Sequence, residues 1–227
     1  MRAEPLNWPR ESICLHPASL DVASAAAELY RRTCRVGFDE PGFCVLNAGQ
    51  DMDSAAFRQL MVDLKRAMAA IHESTTGNTL AYLSTGRFDQ QETTRPHLDG
   101  GPEECFLMLG YEPSEIGSEL EIFDYAKCAF DLGLTPGEFM ARHNPMFSAD
   151  HDILRPYATR IPCFSKGDYQ VVCINNSSAP YSESQPAWQG TLHAATIPAP
   201  DASERRVVNS TMIASVSAGT PDEAGSW

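Results

Sequence analysis

The stretch KGDYQVVCINNSSAPYSESQPAWQGTLHAATIPAPDASERRVVNSTMIASV, residues 166–216, decides how the chain folds. Lys166-Gly167-Asp168 is a turn, and residues 169–175 form an apolar, β-branched run of strand length. Trp188 through His193 approaches a histidine, and Arg206 leads into a last strand over 207–216. Working upstream, residues 79–83, 105–111 and 119–125 read as further strands, separated by Gly, Pro, Asn or Ser. The second half of the chain is therefore mostly β.

Nearer the N-terminus the period changes. Within residues 19–32, Val22, Ala25, Ala26, Leu29 and Tyr30 fall on one helical face. Pro41-Gly42 makes a turn, and Phe43-Cys44-Val45-Leu46 is a short apolar strand. From Asp53, an N-cap, the positions Phe57, Leu60, Met61, Leu64, Met68 and Ile71 keep the i, i+3, i+4, i+7 rhythm until Gly77. Leu134-Thr135-Pro136-Gly137-Glu138 carries a capping box with Pro at the first helical position, so a short helix starts there. Residues 127–162 otherwise show no period-2 signal and read as an irregular insert, either a functional lid or a disordered segment. The polar residues 217–227 read as a flexible tail.

With 227 residues, of which 43% are hydrophobic, the chain fits one domain with one core. Its parts are a helical N-terminal support (19–78), a β core (79–216) holding the insert, and the tail. Seventeen Lys and Arg against 30 Asp and Glu leave a net charge of −13, which repels phosphate backbones and anionic membranes, so nucleic acid is not an expected partner. The seven cysteines at 14, 34, 44, 105, 128, 163 and 173 are odd in number, scattered and free of any C-x-x-C pair. Free thiols in a reducing compartment are the expectation. The N-terminal residues lack the apolar run of a signal peptide and no stretch could span a bilayer, so the expected location is the cytoplasm.

The segment TTRPHLDGGPEE, residues 93–104, places His97 and Asp99 two positions apart. On an extended chain side chains alternate with period two, so both point to one face and can address one ion. A second histidine would complete a 2-His-1-carboxylate face, the arrangement of non-haem Fe(II) oxygenases. Taken alone, the pair equally fits a solvated strand end.

The order of parts resembles the iron(II)/2-oxoglutarate-dependent oxygenases: an N-terminal helix, a Gly-Phe-x-Val/Leu strand, a second helix, and then a jelly roll carrying H-x-D, a distal His and an Arg followed by a hydroxyl residue. The resemblance spans about residues 20–216 and rests on His97, Asp99, His193, Arg206 and Ser210 in that order. It implies a mainly β fold with N-terminal helices, a double-stranded β-helix (a cupin-like barrel) flanked by helices. It implies Fe(II) held by His97, Asp99 and His193, with 2-oxoglutarate as cosubstrate gripped by Arg206 and Ser210. The strand LAYLSTGRF places Tyr82 as a further cosubstrate contact. Arg206 rather than Arg205 is chosen because Ser210, four residues on, shares its side of a strand. The implied reaction consumes O2, releases succinate and CO2, and oxidises a C–H bond of a small-molecule or peptide-like substrate; Asp99 favours hydroxylation over halogenation.

Two other readings of the same residues remain: a non-catalytic jelly-roll ligand-binding module, and a Zn-dependent hydrolase, although no H-E-x-x-H helix supplies a base. Among the remaining histidines, His72 reads as a cation at a helix C-terminus. His143 and His151 flank the insert, and His16 lacks a metal partner within reach by spacing. Trp188 reads as core, with a pocket wall as the alternative, and Met140, Met146 and Phe147 read as packing or a lid's apolar face.

Overall fold

The computed structural model describes residues 8–147 and 152–220. A short helix α1 (Arg10–Ile13) and a two-residue strand β1 (Cys14–Leu15) precede helix α2 (Val22–Thr33), strand β2 (Phe43–Gly49), helix α3 (Ser54–Thr76) and strand β3 (Asn78–Asp89). Strands β4 (Cys105–Tyr111) and β5 (Glu119–Phe123) lead into helices α4 (Tyr125–Asp131) and α5 (Pro136–His143). A 3-10 turn (Arg155–Tyr157) and strands β6 (Ala158–Arg160), β7 (Tyr169–Asn175), β8 (Leu192–Thr196) and β9 (Val207–Ser217) complete the described chain.

Helix α3 shows how closely local chemistry fixes an element. The Asp53 carboxylate accepts from the Ala55 and Ala56 amides, satisfying donors the first turn leaves open. Gly77 ends the helix at φ 77°, left-handed backbone that glycine adopts without a Cβ penalty. The capping box expected at Thr135 and Glu138 is present and opens α5.

Strands β1-β2-β7-β4-β9-β3 form a six-stranded sheet and β6-β5-β8 a three-stranded one. All neighbours run antiparallel except β1 and β2. The pleat sorts side chains into layers. Cys44, Leu46, Phe106, Met108, Cys173 and Ile213 pack under α2 and α3. Their sequence neighbours Val45, Leu107, Val172, Ile174 and Met212 face inward, where they meet Leu120 and Ile122 of the small sheet. On the small sheet's far side, Phe123, Leu192 and Ala194 pack with Tyr125, Phe139 and Leu154. The molecule is a four-layer stack of helices, six strands, three strands and helices.

The sequence-based expectation of a mainly β protein needs correcting. Helix and strand hold similar shares, because α3 alone runs for 23 residues. The two sheets face one another across a shared core but belong to separate ladders, and no closed barrel forms among the described residues. The helical support at 19–78 also contains β2, the register partner of β7. Nor is 127–162 an insert without structure. It contributes most of α4, all of α5 and strand β6, and Phe139 is fully buried against the small sheet. Met140 packs there too, whereas Phe147 is 86% exposed. His151 and residues 221–227 of the expected tail lie outside the described residues.

The cysteines depart from expectation as well. Cys14 and Cys163 form a disulfide across 149 residues of sequence, while Cys34, Cys44, Cys105, Cys128 and Cys173 are free and buried. No spacing rule could pair two cysteines so far apart. Among the described residues, no helix is long and apolar enough to cross a membrane.

Candidate metal centre

The HLD segment runs beside β8, extending the small sheet's ladder by one residue. The His97 amide donates to the His193 carbonyl and the His193 amide returns the bond, each at 3.1 Å. This exchange sets the two rings 4.2 Å apart between centroids. Along β8, Leu192 and Ala194 point outward to the α4–α5 layer, so His193 points inward, between the sheets. His97 Nε2 lies 3.5 Å from Asp99 Oδ1. One donor atom from each of His97, Asp99 and His193 falls within 4.8 Å of the others. Residues 94 and more positions apart in sequence thus converge through one backbone pairing.

The supporting contacts are specific. His97 Nδ1–H donates to the Arg95 carbonyl at 2.7 Å, which turns Nε2 to Asp99: with its proton Nε2 is a donor to the carboxylate, and without it Nε2 is free to ligate a metal. Asn176, at the end of β7, holds Asp99 from both sides: its Oδ1 accepts from the Asp99 amide at 3.0 Å and its Nδ2 donates to the Asp99 carbonyl at 2.8 Å. Asn176 was not singled out from sequence, where Asn175-Asn176 at a strand end was the available signal.

The electrostatics suit a cation. Hydrogen bonding to Asp99 holds His97 above the ordinary imidazole range, against the opposing effect of burial. The hydrogen bond from His97 in turn keeps the Asp99 carboxyl below its usual range, so it is ionised. Burial, followed by repulsion from His97, pushes His193 down and keeps it neutral. Its Nδ1 is buried with no hydrogen-bond partner. Two imidazoles, one carboxylate and an orphaned buried nitrogen fit a divalent first-row metal. Asp99, with its side chain 40% exposed, leaves the site open on one side.

Arg206 sits just before β9 and is 4% exposed. Its guanidinium donates to Ser118 Oγ at 3.1 and 3.0 Å and to the Gln90 carbonyl at 2.9 Å, and it lies over the Tyr111 ring at 4.9 Å. Among the described residues no carboxylate ion-pairs with its guanidinium, whose hydrogen-bond partners are neutral; the Asp89 carboxylate accepts instead from the Arg206 backbone amide at 3.0 Å. Ser210 follows on β9, on the same strand face as Val208 and Met212 of the inner core. Arg205 is exposed, and its carbonyl accepts from Ser114 Oγ.

Two expectations, for Tyr82 and His72, do not survive the geometry. Tyr82 packs with the helix-side core, its ring 4.7 Å below Lys65 Nζ, and so faces away from the space between the sheets where His193 points. Trp188 belongs to the helix-side core, in line with its reading as core rather than with the alternative of a pocket wall. His72 is not a helix-end cation. It is buried within α3, linked to the Tyr30 hydroxyl at 2.8 Å and Ser215 Oγ at 2.9 Å, and burial lowers its pKa. His143 packs against Phe139 in a tilted pair with ring centroids 5.3 Å apart and contributes to no metal cluster among the described residues.

Comparison with protein-family models and with curated proteins yields no match for this chain.

Proposed function

We propose that the protein is an Fe(II)- and 2-oxoglutarate-dependent dioxygenase that hydroxylates a C–H bond of a small-molecule or peptide-like substrate. The observation that carries this reading is the convergence of His97, Asp99 and His193, whose donor atoms lie within 4.8 Å of one another. The two facing sheets are then an opened form of the double-stranded β-helix, with the metal ligands at one end of the interior.

Three protein donors on one face leave half of an octahedral metal's positions for small ligands. Fe(II) with 2-oxoglutarate would supply O2 activation coupled to release of succinate and CO2. The chain's own residues bind and orient. Asp99 and the two imidazoles would hold the ion, with Asn176 fixing the backbone of Asp99 and the Arg95 carbonyl the ring of His97. Arg206, buried without an anionic partner, offers a bidentate fork to the cosubstrate's far carboxylate, and the Ser210 hydroxyl adds a hydrogen bond. The acidic surface disfavours polyanionic substrates.

The test is anaerobic reconstitution with Fe(II) and 2-oxoglutarate, followed by O2 and measurement of succinate with and without a metabolite panel. Succinate formation that disappears in Asp99→Ala and His193→Ala supports the reading. Tight 2-oxoglutarate binding with no succinate would indicate a binding module, and Zn(II)-dependent hydrolysis of a panel member with no succinate formed under Fe(II) a hydrolase; either result overturns it.

A further inference from the structure

Among the described residues, a second group of three metal-ligating side chains lies within reach of one ion: Cys14, His16 and Cys163, whose donor atoms fall within 4.8 Å of one another. Cys14-Leu15-His16 repeats the logic of His97-Leu98-Asp99. On extended backbone the outer two residues share a face, and here Leu15 turns instead to the helix-side core. Cys163 arrives from the connection between β6 and β7, so the three residues join the edge of the large sheet to the small one.

Cys14 and Cys163 are buried and joined as a disulfide, yet the imidazole beside them is exposed. A disulfide has no use for it; a metal has. Two sulfurs and one nitrogen are the donor set of a thiophilic, borderline-soft ion. Two thiolates on one zinc stand about 3.8 Å apart, given Zn–S bonds of about 2.3 Å in a tetrahedral site. The Cα–Cα separation of 6.4 Å accommodates that spacing by side-chain rotation alone. Access exists, because His16 borders a solvent-open cavity of about 400 Å3 whose wall includes Asn47, Asp51 and Asp168.

We propose that Cys14, Cys163 and His16 form a redox-gated site for Zn(II), closed by the disulfide and opened by a dithiol reductant. Opening transfers two electrons and two protons to the Cys14–Cys163 bond, giving two thiols, while the dithiol leaves as its own disulfide. Metal uptake then releases the two thiol protons, and water fills the fourth position. In either state the segment at β1 stays tied to the β6–β7 connection, by a covalent bond or by the ion.

Co(II) is the probe, because thiolate ligation gives an intense sulfur-to-cobalt charge-transfer band that His/Asp ligation cannot give. The full-length protein is reduced with a phosphine, titrated anaerobically, and compared with its oxidised form. A band is expected only after reduction, undiminished when His97 and His193 are both replaced by Ala, so failure of the proposed iron site leaves this result independent. Cys14→Ser should lose the band. His16→Ala, at an exposed position, should keep the fold and weaken binding by more than the roughly tenfold that losing an outer-shell partner costs. Absence of the band in reduced wild-type protein, or its persistence at full strength in Cys14→Ser, overturns the proposal, as does an unchanged affinity in His16→Ala.

Discussion

His97 and His193 exchange backbone hydrogen bonds yet experience opposite fields, one raised by Asp99 and the other lowered by burial. Their difference is what a ligand pair needs: one ring oriented by a carboxylate, the other held neutral and ready to donate. Asn176 controls the orientation. Asn176→Ala should lower metal affinity by roughly 10- to 100-fold while all three ligands remain, measured by Fe(II) titration against a chelator. At Arg206 the expected loss is cosubstrate binding. Arg206→Ala should raise the Kd for 2-oxoglutarate with metal affinity retained, and Arg205→Ala should behave as wild type, because Arg205 is exposed; the reverse result would place the wrong arginine in the site. His72 gives the fold a pH dependence. Burial sets its folded pKa below the ordinary value of about 6.5, so as pH falls through that value the unfolded chain takes up a proton the folded chain refuses. Stability is full above about pH 6.5 and declines below it, by up to about 1.4 kcal/mol per pH unit for this group. Urea midpoints at pH 7.5 and 5.5 should differ less in His72→Gln than in wild type.

At the scale of elements, α3 was legible to within a residue. Its cap, its apolar stripe and its terminating glycine are all local, and Asp53, Phe57 to Met68, and Gly77 act as expected. What local pattern could not reveal is how near the helix lies to the sheet. At Gly110 on β4 the side chains of α3 press close, since a Cβ there would collide with Met61 and Phe57. Gly110→Ala should therefore cost about 1–3 kcal/mol, the usual penalty of overpacking a core, read as a lower urea midpoint. Strands β4, β7 and β9 were also recognisable, each as an apolar run bounded by turn residues. Strand β6 was not, because three residues carry too little periodicity to register. Tyr82 shows the limit of face assignment: β3 shifts register between Tyr82 and Ser84, and the packing of α3 assigns Tyr82 to the helix side.

For the molecule as a whole, the disulfide ties the two sheets together at the edge where β1 stands. A loop closed over 149 residues removes much unfolded-chain entropy, on the order of 5 kcal/mol by the chain-entropy account. Reduction in the absence of metal should lower the melting temperature, and Cys14→Ser should reproduce that shift under oxidising conditions; equal melting curves would mean the bond constrains nothing. The sequence by itself determined what depends on near neighbours: the caps and stripe of α3, the alternation that sorts strand residues into two faces, and the shared face of His97 and Asp99. Tertiary structure alone decided which distant partners meet. It brought His193 to His97 through a single pair of backbone hydrogen bonds, put Cys14 against Cys163 with His16 beside them, and turned Tyr82 from the space between the sheets. The physical reason is that caps and periodicity act over a few residues along the chain. Pairings across 96 to 149 positions are set by strand order and layer packing, which no short stretch encodes.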